Sequence, residues 1–232
     1  MPKSPPGAQL PAGHLSTSVE DYLKTIYHLT ERGEAASTNA IAQRLGLAAP
    51  SVTGMVKRLA EQGWVRHEPY RGVELTAAGR RAALRTVRRH RVLEAYLVAF
   101  LGYDWVSVHD EAERLEHAVS DALIERMAQA LGHPSVDPHG DPIPAPDGTI
   151  AEVVYTPLTE LPAGPATVRR VQAEDGERLR YLADIGLVPG AAVTVVAVAP
   201  FAGPVTVQIG ERTQVIGREL GDQVLCLKGG AR

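Results

Sequence analysis

Residues 109–117 read HDEAERLEH, with acids at 110, 111, 113 and 116 and an arginine at 114 between two histidines. A run this charged reads first as a solvated helix face. Angular sorting points elsewhere. At about 100° per residue, His109, Glu113, Glu116 and His117 fall within one arc of about 100°. Val108, Ala112, Leu115, Val119 and Ala122 gather on a second arc, and Asp110, Glu111, Arg114 and Asp121 take the remainder. Plain solvation gives no reason for two carboxylates and two imidazoles to line one side beside the apolar stripe. Carboxylates so close repel and raise each other's pKa unless a cation lies between them. Glu113, Glu116 and His117 have the i, i+3, i+4 spacing of helical metal sites. On the preceding helix His90 and Glu94 stand at i and i+4 and form a second ligand pair. Oxygen and nitrogen donors without thiolate suit Mn²⁺ or Fe²⁺ better than a structural zinc ion.

These donors need two helices to carry them. Thr76 is placed to cap a long helix over 77–102, basic through Arg91 and apolar after it. Leu93, Tyr96, Leu97, Phe100 and Leu101 form its greasy face. The charged stretch that follows is expected to continue as one helix to about Leu131. Two large apolar faces without an obvious cover predict a homodimer interface, or packing on the rest of the chain.

Upstream, residues 18–30 have helical spacing, with Ser18 as the expected cap and Asp21 in the first turn, where a carboxylate also suits the helix dipole. Ile41, Ala42 and Leu45 mark a short helix that Gly46 can turn. Pro50 suits the first turn of the next, in which Val52, Met55, Val56 and Leu59 face inward. Pro50, Ser51, Gly54, Lys57 and Arg58 then face outward, with Thr53 on the flank. Small residues admit a base edge and cations meet phosphates, so the pair reads as a helix-turn-helix. Residues 64–75 read as strand, turn, strand, a wing with Arg66, His67 and Arg71 able to reach a DNA backbone. Charge agrees: residues 1–91 carry a net +7 and residues 92–232 a net −10. A basic first third meets a polyanion.

Residues 133–148 hold five prolines and read as a structured connector or domain boundary. From about 166 the pattern changes to short β-runs divided by Gly and Pro, with one helix over 174–186, which predicts a small β-barrel or sandwich. One cysteine, Cys226, excludes an intrachain disulfide and a thiolate zinc cluster. The N-terminus lacks the apolar core of a signal peptide, and the longest apolar run, 191–199, is half a bilayer span. These features predict a soluble cytoplasmic protein without membrane contact.

The segments EDYLKTIYHL, APSVTGMVKRL, RRHRVLEAYL, VHDEAERLEHAVSD and GDPIP, in this order and spacing, resemble the diphtheria-toxin-repressor family of metal-dependent transcriptional regulators, and its manganese-responsive branch in particular. The resemblance implies an α+β multidomain fold. It would comprise a disordered arm (1–17), a winged helix-turn-helix DNA-binding domain (18–85), an all-α dimerisation and metal-binding domain (86–150), a linker (151–165) and a C-terminal SH3-like small β-barrel (166–232). The primary metal site would use Asp21, Glu113, Glu116 and His117. The second would draw on His90, Glu94 and His109, with Asp137 and His139 from the proline loop and Glu174 from the C-terminal domain (Asp175 or Glu177 as alternatives). DNA contacts would come from Pro50, Ser51, Thr53, Lys57, Arg58 and Arg71. Iron-type relatives place methionine at the position of Asp21 and cysteine at that of Glu113. Carboxylates at both favour Mn²⁺, with Fe²⁺ as the alternative and two sites per subunit. Lys24 stands where some small manganese regulators have a glutamate serving a two-metal cluster, and Gly54 where the family has a base-reading glutamine.

The resemblance implies repression of metal-uptake genes by operator binding as a homodimer, with no enzymatic activity. Two other classes compete. A metal-independent winged-helix regulator explains residues 18–75 but not the sorted acids. A metallohydrolase explains the acids and histidines but needs a catalytic motif that the sequence lacks.

Overall fold

The computed structural model describes residues 15–31, 35–68, 72–151, 153–173 and 175–229. The chain divides into two compact units, Met1–Val87 and Arg88–Arg232. The predicted arm lies mostly outside the described residues.

In the first unit, α1 (Thr17–Glu31) buries Val19, Tyr22, Leu23, Ile26, Tyr27 and Leu29. Its cap is Ser16, whose carbonyl accepts from the Val19 and Glu20 amides, and not the expected Ser18. Asp21 consequently falls in the second turn, where the helix end no longer accounts for its charge. α2 (Thr38–Leu45) is capped by the Ser37 side chain and closed by Gly46 in the left-handed conformation (φ 64°). α3 (Ala49–Glu61) opens with Pro50 in its first turn and buries Val52, Val56 and Leu59, with Met55 half-buried. β1 (Val65–Glu68) and β2 (Gly72–Leu75) form the expected antiparallel wing. Thr76 then caps α4 (Ala77–Leu101) by accepting from the Gly79 amide. A Cβ on Gly79 would come within 2.0 Å of the Trp64 carbonyl, so glycine is what lets α4 start hard against β1.

The second unit contains the rest of α4. The predicted continuous helix over 108–131 is instead two: α5 (Val108–Leu115) and α6 (Asp121–Ala130). Ser120 breaks it. Its side chain accepts from the Leu123 amide, and its extended backbone (ψ 151°) starts a new helix. Buried Arg89 holds the intervening turn, donating to the Glu116 carbonyl at 3.1 Å and to Asp121. The break resets the phase, so Ala122 is exposed, against expectation, and Ile124 and Ala128 join Val92, Leu93 and Ala112 in the core. Leu93 and Leu97 are buried within the chain, while Phe100, Leu101 and Leu123 remain exposed.

The proline segment is ordered as a small hairpin. Val136 bridges Pro142, the Ile143 amide donates to Ser135, and Asp137 Oδ1 accepts from the His139 and Asp141 amides. The C-terminal part is an antiparallel sheet of six strands: β3 (Thr156–Pro157), β4 (Gly164–Val171), β5 (Ala192–Val198), β6 (Val205–Ile209), β7 (Arg212–Ile216) and β8 (Val224–Lys228). Their spatial order is β3-β8-β4-β5-β6-β7. Register shifts at Val168/Arg170 and Val195/Ala197 increase its twist. α7 (Gly176–Asp184) and α8 (Arg218–Gly221) complete it. β3 pairs with β8 and the turn Leu158–Glu160 places Leu158 in the core of the sheet beside Leu161, so much of the expected 151–165 linker is structured. Trp105 and Val106 pack against the core of the sheet. Gly140 (φ +86°) lies so close to β4 that a Cβ would sit 1.9 Å from the Arg169 carbonyl. These contacts explain why the predicted second and third domains form one compact unit. No helix among the described residues is long and apolar enough to cross a membrane.

Candidate functional site

The α4–α5 pair builds the chemistry. His90 and Glu94 project from successive turns of α4 and are both buried. His90 Nδ1 donates to Glu116 Oε2 at 2.6 Å, and His90 Nε2 lies 2.9 Å from Glu94 Oε1. His109 Nδ1 comes within 3.1 Å of both Glu94 Oε1 and His90 Nε2. Glu113, half-exposed, approaches His90 at 3.7 Å and His109 at 3.8 Å. Glu116 is fully buried and also meets His117 Nε2, at 3.4 Å. On the other side of Glu94, Oε2 faces His139 Nδ1 at 3.6 Å.

Among the described residues of the second unit, two compact donor groups result: His90, His109 and Glu113, and the buried trio Glu94, Asp137 and His139. Within each, ligand atoms lie within 4.8 Å of one another. Glu113, expected beside Glu116 and His117, thus also approaches the histidines of the second set. The two expected ligand sets adjoin through the His90–Glu116 hydrogen bond. Glu116 closes α5 with helical backbone angles (φ −58°, ψ −28°) and its amide donates to the Ala112 carbonyl, so it still projects with the phase of that helix, and His117 follows in the turn. The wet face is as expected: Asp110 and Arg114 are exposed, and Arg114 pairs with Glu111. Asp21 is half-buried on α1 in the first unit, and Lys24 is buried there. Glu174 and Arg71 lie outside the described residues. Asp175 caps α7 by accepting from the Glu177 amide.

Electrostatics are concentrated at Glu94. Burial pushes its pKa up, but the charge of His90 and hydrogen bonds from His109, His139 and His90 outweigh this and hold the carboxyl well below its usual range. Burial pushes His139 down, yet the hydrogen bond and charge of Glu94, the charge of Asp137 and the Trp105 carbonyl raise it to about 9. Burial, with Asp141 and Glu94 nearby, keeps Asp137 well above an ordinary aspartate, against the pull of Arg91 and His139. A buried carboxylate neutralised by a protonated imidazole, as Glu94 is by His139, can exchange that proton for a divalent cation, and this donor set of hard oxygen and imidazole nitrogen fits one. The single cysteine is buried in β8, within the core of the sheet.

Sequence spacing missed the residues that hold the proline loop. Arg91 donates to the Pro142 carbonyl at 2.6 Å and to Asp141 at 3.2 Å, and Arg170 of β4 pairs with the same Asp141. Trp105 donates to the Pro138 carbonyl at 3.0 Å. Partners 29 to 51 positions apart leave no periodic trace. On α3, Pro50, Ser51, Thr53, Gly54, Lys57 and Arg58 are all exposed, as are Arg66 and His67 of the wing. The Thr53 hydroxyl donates back to the Ala49 carbonyl.

Residues 14–73 match the family "Iron dependent repressor, N-terminal DNA binding domain" and residues 76–145 "Iron dependent repressor, metal binding and dimerisation domain". Residues 156–227 match the "FeoA domain". The iron-dependent repressor IdeR of Mycobacterium tuberculosis is 35% identical over 223 residues, covering 90% of this chain and 96% of the relative. The IdeR of Mycobacterium leprae is 38% identical over 194 residues, 78% and 84% of the two chains. Among solved structures, a manganese-dependent transcriptional repressor in complex with manganese superposes with a TM-score of 0.84 at 42% identity, over 90% of this chain and 99% of its own. The manganese regulator SloR does so with 0.78 at 33%, over 91% and 98%. The chain therefore belongs to the diphtheria-toxin-repressor family of metal-dependent, DNA-binding transcriptional repressors, with a helix-turn-helix domain, a helical dimerisation domain and a C-terminal SH3-like domain, and is not an enzyme.

Proposed function

We infer that this repressor responds chiefly to Mn²⁺, with Fe²⁺ as the alternative activator, and binds operator DNA as a homodimer to silence metal-uptake genes. The observation that carries the reading is the donor chemistry around Glu94 and Glu116: carboxylates and imidazoles, most of them buried, with the only cysteine elsewhere in the core. Sulfur donors would favour softer ions, and hard oxygen ligands favour Mn²⁺. The iron-dependent relatives are the reason to test Fe²⁺ beside it.

The primary ligands are Asp21, Glu113, Glu116 and His117. The second set is His90, Glu94 and His109, completed by Asp137, His139 and Glu174. When bound, the ion supplies the positive charge that lets these carboxylates stay close and ionised. Asp21 belongs to the DNA-binding domain and the other primary ligands to the dimerisation domain. Shared ligation then fixes one domain against the other and sets the spacing of two recognition helices in the dimer, about 34 Å for successive major-groove faces. Metal and operator each tighten the binding of the other by the same factor. Pro50, Ser51 and Thr53 approach the bases, while Lys57, Arg58 and Arg71 meet phosphates. The exposed apolar residues Phe100, Leu101 and Leu123 support the homodimer face. A repressor of chromosomal genes works in the cytoplasm.

The test uses a duplex selected from random DNA by the Mn²⁺-loaded chain, in a gel shift with Mn²⁺, Fe²⁺, Zn²⁺ or chelator. Retention with Mn²⁺ and release with chelator are expected. Equal retention in every lane would leave a metal-independent regulator. A shift with Fe²⁺ and none with Mn²⁺ would reverse the assignment of the metal.

A further inference from the structure

We propose that Trp105 positions His139 as a metal ligand and so links docking of the C-terminal sheet to the second metal pocket. This rests on reading Glu94 and His139 as ligands. Trp105 lies in the connection between α4 and α5, outside every spacing that marks the donors. Three contacts converge on it. Its indole Nε1–H donates to the Pro138 carbonyl at 3.0 Å. Its own carbonyl accepts from His139 Nε2 at 2.9 Å. Its ring lies against the imidazole, centroids 5.4 Å apart and planes inclined by 34°.

The middle contact decides the chemistry. A carbonyl oxygen has no proton to give, so Nε2 of His139 keeps its proton and only the one on Nδ1 can yield to a cation. Nδ1 is then the nitrogen left for a cation, and it faces Glu94 Oε2 at 3.6 Å. An outer partner that fixes the tautomer and ring orientation is what a metal-binding imidazole requires. The backbone of His139 is held from the C-terminal side, because the Val171 amide of β4 donates to its carbonyl at 2.9 Å. The indole meanwhile packs against the core of the same sheet. Undocking the sheet would free the backbone grip and the tautomer lock together.

The experiment is a zinc titration of the full chain carrying ¹⁵N-labelled histidine, zinc being a diamagnetic probe. In the unmodified chain the zinc-loaded His139 is expected to keep its Nε2–H and to show the metal shift on Nδ1. In Trp105→Ala that shift is expected to need at least about tenfold more zinc, while the His117 signal titrates as before. Both variants keep the backbone carbonyl; Trp105→Phe also keeps the aromatic packing, and is expected to stay within about threefold of the parent. Coordination through Nε2, or a Trp105→Ala chain within about twofold of the parent, overturns the proposal. Zinc that moves His117 but never His139 overturns the second-pocket reading itself, a different outcome from either of these. The tautomer of the unmodified chain needs no variant, so a Trp105→Ala chain that misfolds still leaves a decisive result.

Discussion

His90 and Glu116 share a hydrogen bond of 2.6 Å between two buried side chains, although the ligand spacing assigns them to different metal sites. With Nδ1 engaged by Glu116, His90 presents Nε2 to Glu94 and His109. A change on one side is therefore felt on the other. His90→Ala is expected to weaken metal binding at both sites, and the double variant with Glu116→Ala to be non-additive by about 0.5–3 kcal/mol. Mn²⁺ calorimetry on the two single variants and the double variant measures this. Additive losses would mean that the two sites are independent.

Gly140 tests how tightly the proline loop is seated. A Cβ there meets the Arg169 carbonyl at 1.9 Å with φ at +86°, whereas Gly132 has a similar φ of +74° and open space around its Cβ. Gly132→Ala should cost about 1–2 kcal/mol, the left-handed backbone alone. Gly140→Ala adds a backbone clash that no rotamer relieves, and should cost distinctly more and weaken metal binding at His139. Thermal unfolding of the two variants side by side decides it. Equal losses would show that the loop can lift off β4.

Most of the element order was legible because the signals were local. Gly46, Pro50 and Thr76 end or start helices as their chemistry demands, and the wing strands follow alternation. The continuous helix over 108–131 misread Ser120, which helical periodicity alone does not distinguish from a surface serine. Once capped, it reset the phase of the following helix and put Ile124 where Ala122 was expected. The donors were legible as residue types with spacing. Their grouping was not: Glu94 meets His139 across 45 positions and Arg170 meets Asp141 across 29, through loop and sheet contacts that no period encodes.

Metal preference is expected to follow donor softness. Replacing Glu113 with Cys and Asp21 with Met, as in iron-type relatives, exchanges hard oxygen for sulfur in the primary set. Mn²⁺ should then lose ground to Fe²⁺ and Zn²⁺ as activator of operator binding. Anaerobic gel shifts across a metal series give the ratio. An unchanged Mn²⁺ preference would assign selectivity to the second site.

Cys226 is fully buried, and burial pushes its thiol up to about 12. The thiolate is the reactive form, so the native chain should not react with a disulfide reagent near pH 8 and should do so on unfolding. The rate should be the same with and without Mn²⁺. Protection that appears only with metal would place sulfur among the ligands and undo the hard-donor assignment.

The outward face of α3 separates affinity from readout. Lys57 and Arg58 are exposed beside Gly54, where a Cβ would meet nothing within 4 Å. Lys57→Ala and Arg58→Ala should each weaken operator binding across all sequences and lower the salt slope by about 1. Gly54→Ala removes a helix-interior glycine and should stabilise the chain by about 0.5–1 kcal/mol. Gly54→Gln restores a side chain that can reach base edges, so it should sharpen preference among duplexes while leaving the salt slope unchanged. Binding to a panel of single-base operator variants at two salt concentrations separates these effects. A salt slope altered by Gly54→Gln, or an unaltered one in both cation variants, would move the DNA-contacting face away from this side of α3.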